Sequence, residues 1–206
     1  MLAVFTFLML TLSAMSATAQ PVCAAERLAA TALEEPALEA FTQRIDAYME
    51  VHNRVERKLS LHWQFEDPEE MDDAIEAMQS AIRSARPDAR RGAIFTEDVG
   101  SLIRGRLTAR LIECNDTVEE VLAFINEERL PGVPKPTINE PFPWALGSAM
   151  WPSFLAVLPA LPDELQYRFA DRDLVLIDVH ANLVVDILVK ALPAPRSGTR
   201  MRIRST

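Results

Sequence analysis

Glycine is scarce in this chain, and so is cysteine: 6 and 2 residues of 206, against 14 prolines. Few glycines mean few backbone positions free to take a positive φ, and no glycine-rich phosphate loop is present, which disfavours nucleotide binding. The excess of proline predicts stiff, extended connections rather than flexible ones. Charged side chains are missing from residues 1–19, so the net charge of −9 belongs wholly to the rest of the chain. A body this acidic repels phosphate backbones, which argues against nucleic acid as a partner. Beyond the first residues no apolar run is long enough to cross a bilayer, so no transmembrane span is expected in the mature chain. There is no H-E-x-x-H, no serine elbow and no cysteine set beside a histidine.

What is present begins with an export signal. Met1 to Leu12 is almost wholly apolar, and Ala17-Thr18-Ala19 precedes Gln20 and Pro21. An apolar stretch followed by A-x-A is the pattern of a signal peptide, which places cleavage after Ala19. No basic residue precedes the apolar stretch, so retention as an anchor is the alternative to cleavage. Export implies an oxidising compartment, and Cys23 and Cys114 are then natural partners for a structural disulfide. The other possibility is that Cys114 is a buried small hydrophobe and Cys23 stays free.

The fold class expected is α+β: about four helices, a proline-rich strap and a small C-terminal antiparallel β-meander. Leu38, Phe41, Ile45, Tyr48, His52, Val55 and Leu59 recur at steps of three and four, one stripe along a first helix. Asp67-Pro68-Glu69-Glu70 opens a second, with Met71, Ile75, Met78, Ile82 and Ala85 facing inward. A third starts at Thr96 and carries Val99, Leu102, Ile103, Leu107, Leu111 and Cys114. Asp116 and Glu119 form a D-x-x-E cap for a fourth, with Val118, Val121, Leu122 and Ile125.

Residues 130–162 hold eight of the prolines together with Phe142, Trp144, Trp151 and Phe154. Proline forbids long helices here, so the segment is expected to be a strap wrapped over the helices, with a helical turn around Pro152–Val157. Left unpacked, it would be an apolar surface awaiting a partner. Strands follow at Leu165–Phe169, Leu174–Val179 and Leu183–Val189, with turns at Asp171-Arg172-Asp173 and His180-Ala181-Asn182. Residues 20–192 thus form a single domain. The segment 193–206, with Arg196, Arg200, Arg202 and Arg204, is expected to be a disordered basic tail.

The segment Tyr167 to Asp186, YRFADRDLVLIDVHANLVVD, resembles one near the C-terminus of a family of uncharacterised exported bacterial proteins. In these a signal, a helical region and a proline-rich strap come before it. The resemblance implies a bacterial, envelope-located protein, and it supplies no catalytic residues. A looser similarity links the hairpin to small periplasmic proteins with a tyrosine, a strand, an aspartate turn and a second strand.

A metal site would draw on His52, His62 and His180 with acids between Glu66 and Asp73. No two of these histidines have the spacing that ligation favours, and His52 on an apolar stripe is expected to be packed with one hydrogen bond. The acidic run lacks the D-x-D-x-D-G pattern of calcium loops and suits a helix N-terminus instead. Asp173, Asp178 and His180 are the best polar focus, and turn roles account for them. No catalytic, cofactor or metal residues are therefore assigned. The leading expectation is a periplasmic or otherwise exported, non-enzymatic interaction module, binding another envelope protein or itself. The alternatives are a small-ligand or metal binder, its site between helices and meander, and a hydrolase with an unrecognised site.

Overall fold

A computed structural model describes residues 34–147 and 150–195. The signal segment, Cys23 and most of the basic tail lie outside the described residues. The architecture is the α+β one expected: α1 (Glu35–Leu59), α2 (Pro68–Ala85), α3 (Glu97–Glu113) and α4 (Val118–Ile125), then β1 (Leu165–Ala170), β2 (Asp173–Asp178) and β3 (Leu183–Leu188). No helix among the described residues is long and apolar enough to cross a membrane. The strands form one antiparallel sheet in the order β1-β2-β3.

The caps explain the helix limits. Asp67 accepts from Glu69 N at 2.9 Å, with Pro68 behind it at the first helical position. The fourth helix is capped one residue later than the D-x-x-E pattern implied. Thr117 and Glu120 form a reciprocal capping box, while Asp116 instead accepts the indole N–H of Trp151 at 2.8 Å. The stripe on α2 is also turned: Ala74, Met78 and Ile82 are buried, and Met71 stands 42% exposed. On α3, Val99, Ile103, Leu107 and Leu111 go inward as expected, while Leu102 and Cys114 are only half-buried. A Cβ at Gly100 would lie 2.8 Å from Leu188 Cδ1, so a larger residue there has to displace the end of that side chain.

The meander is covered on both faces. Phe41, Ile45, Ile103, Leu107, Phe154, Phe169, Leu174 and Leu176 belong to the main core between helices and sheet. Phe142, Leu146, Val175, Ile177, Val184 and Ile187 make a second core on the far side, supplied by the strap. The strap also closes an edge: Asn139 N donates to Val184 O and Val184 N to Glu140 O, both at 2.9 Å, beside a bridge between Pro141 and Leu183. An open edge of β3 would otherwise invite strand pairing with another chain. Arg106 on α3 forks onto Glu34 at 3.0 and 3.2 Å and donates to Val157 O at 3.2 Å, tying the start of α1 and the strap to one buried guanidinium.

A bulge interrupts the β2–β3 ladder between Leu176 and Ile177, where the register moves from Leu176↔Asp186 to Ile177↔Val184. The extra residue lets Val185 and Asp186 both face the helices. Asp186 is fully buried there. One of its oxygens accepts from Gly92 N (2.9 Å) and Ile187 N (2.7 Å), the other from Ile94 N and Phe95 N (both 2.7 Å). These bonds fix the loop that leads into α3.

Candidate functional site

Polar groups converge where α1 passes the turn between β2 and β3. Tyr48, His52 and Glu56 are spaced i, i+4, i+8 on α1, and so lie in one row along a face of the helix. On β2, Leu174, Leu176 and Asp178 share the helix-facing side, which brings the Asp178 carboxylate to that row. Asp178 is fully buried. Its Oδ2 accepts the Tyr48 hydroxyl and His52 Nδ1, each at 2.6 Å, and its Oδ1 accepts Ala181 N at 2.9 Å. An ionised carboxylate is an acceptor only, so this bond puts a proton on Nδ1, and in the neutral imidazole the lone pair is then on Nε2. Nε2 is buried and has no hydrogen-bond partner.

The turn brings the second histidine. Asp178 bonds back to Ala181 N, Asn182 takes the left-handed conformation at φ 44°, and Gln79 donates to the carbonyls of Ala181 and Asn182, both at 3.2 Å. Trp144 holds Asn182 Oδ1 at 2.8 Å from the strap side. His180 is thereby held with its ring centroid 5.5 Å from that of His52. Its Nδ1 is buried and lies 3.6 Å from Glu56 Oε1, too long for a hydrogen bond. His52, His180 and Glu56 each offer one donor atom, and these atoms lie within 4.8 Å of one another. The arrangement is two imidazoles and a carboxylate around one point, with Asp178 orienting one imidazole from behind. Carboxylates in that outer position fix the tautomer and raise the basicity of metal-binding histidines.

The loop after α1 supplies a cover. Ser60 ends the helix in the left-handed conformation at φ 54°, and the backbone N–H groups of Ser60 and Leu61 return to Arg57 O and Glu56 O. The chain folds back, so that the Trp63 ring stacks on His180 at 4.1 Å between centroids and its indole N–H donates to Glu56. Phe65 meets Trp63 edge-on at 5.8 Å. Burial on its own would lower the His52 pKa, but the hydrogen bond and charge of Asp178, with Glu56 and Glu164 nearby, outweigh it and raise the pKa above 6.5.

The sequence expectations divide clearly. His52 is packed and makes one hydrogen bond, as expected of a histidine on an apolar stripe. Asp178 and His180 do belong to a polar focus. Asp173 does not: it accepts Lys190 N at 2.7 Å in the turn region. His62 is exposed and stands outside the cluster, as do the acids from Glu66 to Asp73. Glu56, Tyr48 and Trp63 were not singled out as site residues. The signal for two of them was the i, i+4 ladder Tyr48–His52–Glu56, which a search for paired histidines passes over. A groove of about 470 Å³ at the β1 edge, lined by Leu155, Leu158, Tyr167 and Arg168 among others, contains none of these groups.

Both tyrosines of the chain are buried, Tyr48 against Asp178 and Tyr167 donating to Pro159 O at 3.1 Å. Burial raises both hydroxyl pKa values above 10.0, and the Asp178 charge and hydrogen bond raise Tyr48 further, against a lowering by Arg86. The unfolded chain loses these protons above about pH 10 while the folded chain keeps them, so stability falls as pH rises through that value. Two such groups contribute a slope of up to about 2.7 kcal/mol per pH unit. Urea midpoints across this range should drop steeply, and phenolate absorbance should rise only with unfolding. Phenolate appearing in the folded protein near pH 10 would contradict this account.

No family model, curated protein or solved structure matches the chain.

Proposed function

We propose that this chain is an exported protein that binds a divalent transition metal of the zinc class between α1 and the β2–β3 turn. The observation that carries the proposal is the buried, unpartnered Nε2 of His52, in a trio whose ligand atoms, one each from His52, His180 and Glu56, lie within 4.8 Å of one another. Burying a polar atom without a partner costs about 1–3 kcal/mol, and a metal ion removes that cost. Two histidines and a glutamate are the ligand set of several catalytic zinc sites and leave a fourth position for water or another ligand. Tetrahedral donors at about 2.0–2.1 Å from zinc sit roughly 3.3 Å apart, so the trio has to contract by about 1.5 Å at most. Rotation of the Glu56 and His180 side chains supplies that, since His52 is fixed by Asp178. The proposal departs from the expectation of no metal, because the fold brings His180 to the His52–Glu56 pair, to which no sequence spacing links it. Export is supported by the apolar N-terminal stretch with its A-x-A site, and by the resemblance of the hairpin segment to exported proteins. The Cys23–Cys114 disulfide belongs to the same picture, and a mass difference of two hydrogens on reduction tests it.

The test is a titration of the chelator-stripped full chain with zinc, followed by calorimetry or competition with a chromophoric chelator. One equivalent is expected to bind, and His180→Ala should weaken binding by more than about 100-fold, beyond what loss of an outer hydrogen-bond partner costs. His180 is 29% exposed and its removal leaves the core intact. A wild-type chain that takes up no zinc overturns the proposal. A second reading, association with itself or an envelope protein, rests on large apolar side chains left in solvent: Ile112 (75%), Leu130 (59%), Leu155 (56%) and Trp144 (43%). Native mass spectrometry of the purified protein tests for self-association.

A further inference from the structure

Resting on the metal reading, we infer that Trp63 is the specificity-determining residue of the site, confining the bound ion to low coordination and so selecting zinc-like ions over manganese, magnesium and calcium. Of the three ligand residues, His52 is fully buried, and only His180 (29% exposed) and Glu56 (25% exposed) reach toward solvent. Trp63 lies against both of those: its ring stacks on His180 at 4.1 Å and its N–H is bonded to Glu56. Phe65 braces the indole edge-on. The solvent side of the trio is thus walled by an aromatic ring, which offers no lone pair to a cation and no hydrogen-bond acceptor to metal-bound water.

Ions differ in what they need from that side. Zinc is content with four ligands and has no geometric preference from its d electrons. Magnesium, manganese and calcium take six or more oxygen ligands and usually keep several waters. A site closed on that side to all but one further small ligand would meet the first demand and fail the second. The indole also acts on the ligands themselves. Its N–H bonds the Glu56 carboxylate and its face lies on the His180 ring, so the two donors that close on the ion do so against one indole. Trp63 is therefore a positioning residue as well as a wall, acting on the ion through Glu56 and His180.

Cobalt(II) is the probe, because its visible absorption is strong in tetrahedral sites and weak in octahedral ones. The chelator-stripped full chain is titrated with cobalt, zinc and manganese, alongside Trp63→Ala and Trp63→Phe. The wild-type complex is expected to show intense tetrahedral bands and a strong preference for zinc over manganese. In Trp63→Ala the cobalt bands should weaken severalfold, zinc affinity should fall by about 10–100-fold, and the gap to manganese should narrow. Trp63→Phe keeps a ring over His180 and loses the N–H to Glu56, so the tetrahedral bands should persist with reduced affinity. It serves as the decisive variant if Trp63→Ala fails to fold. Unchanged cobalt bands and zinc preference in Trp63→Ala overturn the inference and leave the metal reading standing, as does unchanged zinc affinity in Trp63→Phe. A wild-type chain that binds neither zinc nor cobalt overturns both.

Discussion

Asp186→Ala is expected to cost about 3–5 kcal/mol, since each buried donor left unsatisfied costs about 1–3 kcal/mol. The four backbone N–H groups of Gly92, Ile94, Phe95 and Ile187 all end on this one carboxylate. Alanine leaves four donors without their acceptor in a site closed to solvent on the sheet side, and it leaves a cavity. Against a typical total stability of about 5–15 kcal/mol, that is a large share. Asp186→Asn should be milder yet still destabilising, because its NH₂ group turns toward N–H donors that need an oxygen. The check is a urea midpoint at constant m-value, with the exposed Asp88→Ala as a control expected within about 0.5 kcal/mol of wild type. A wild-type midpoint for Asp186→Ala would mean that the loop into α3 is held by its apolar contacts alone.

Asp186 also shows where sequence reading stops. Alternation along β3 puts Leu183, Val185 and Ile187 on one side and Asp186 with Val184 on the other, the side a polar residue would share with solvent. The bulge opposite Leu176 and Ile177 inverts that parity for the second half of the strand, so that Asp186 turns to the helices. A bulge of this kind follows from what the strand has to reach, here the backbone of residues 92–95, and the local sequence carries no mark of it. Asp178 is the contrasting case. It follows Leu174 and Leu176 at intervals of two with no irregularity before it, and its placement on the helix-facing side was legible from the pattern alone.

The same division runs through the helices and the site. Stripes at steps of three and four placed α1 and most of the α3 core, although α3 also buries Arg106 and Arg110 and leaves Leu102 and Cys114 half-buried. They misplaced Met71 on α2, since which apolar residues of a wide stripe are covered depends on where the neighbouring helix crosses. The cap of α4 moved from Asp116 to Thr117 because Asp116 is taken by Trp151, a partner 35 residues away. The proposed metal trio has both kinds of residue. His52 and Glu56 are one helical turn apart and could be read together. His180 arrives only through the pairing of β2 with β3 and the packing of that sheet on α1, which are facts of tertiary structure.

Asp178 carries the remaining large effect, and its variants separate stability from chemistry. Asp178→Ala removes the acceptor of Tyr48, His52 and Ala181 at once and is expected to cost about 3–5 kcal/mol. Tyr48→Phe removes one charge-assisted bond and should cost about 1.5–3 kcal/mol. Because the two residues share that bond, the double variant should cost less than the sum, a coupling that a double-mutant cycle measures directly. Asp178→Asn is the informative substitution for function. Its amide oxygen can still accept from His52 Nδ1, so Nε2 remains the free nitrogen, but the NH₂ group then faces Ala181 N–H and the carboxylate charge that makes the imidazole a better donor is gone. Zinc affinity is then expected to fall by about 10–100-fold in a chain that still folds. Unaltered zinc affinity in Asp178→Asn would assign Asp178 to holding the fold alone, and would leave His52, Glu56 and His180 to bind the ion without support from behind.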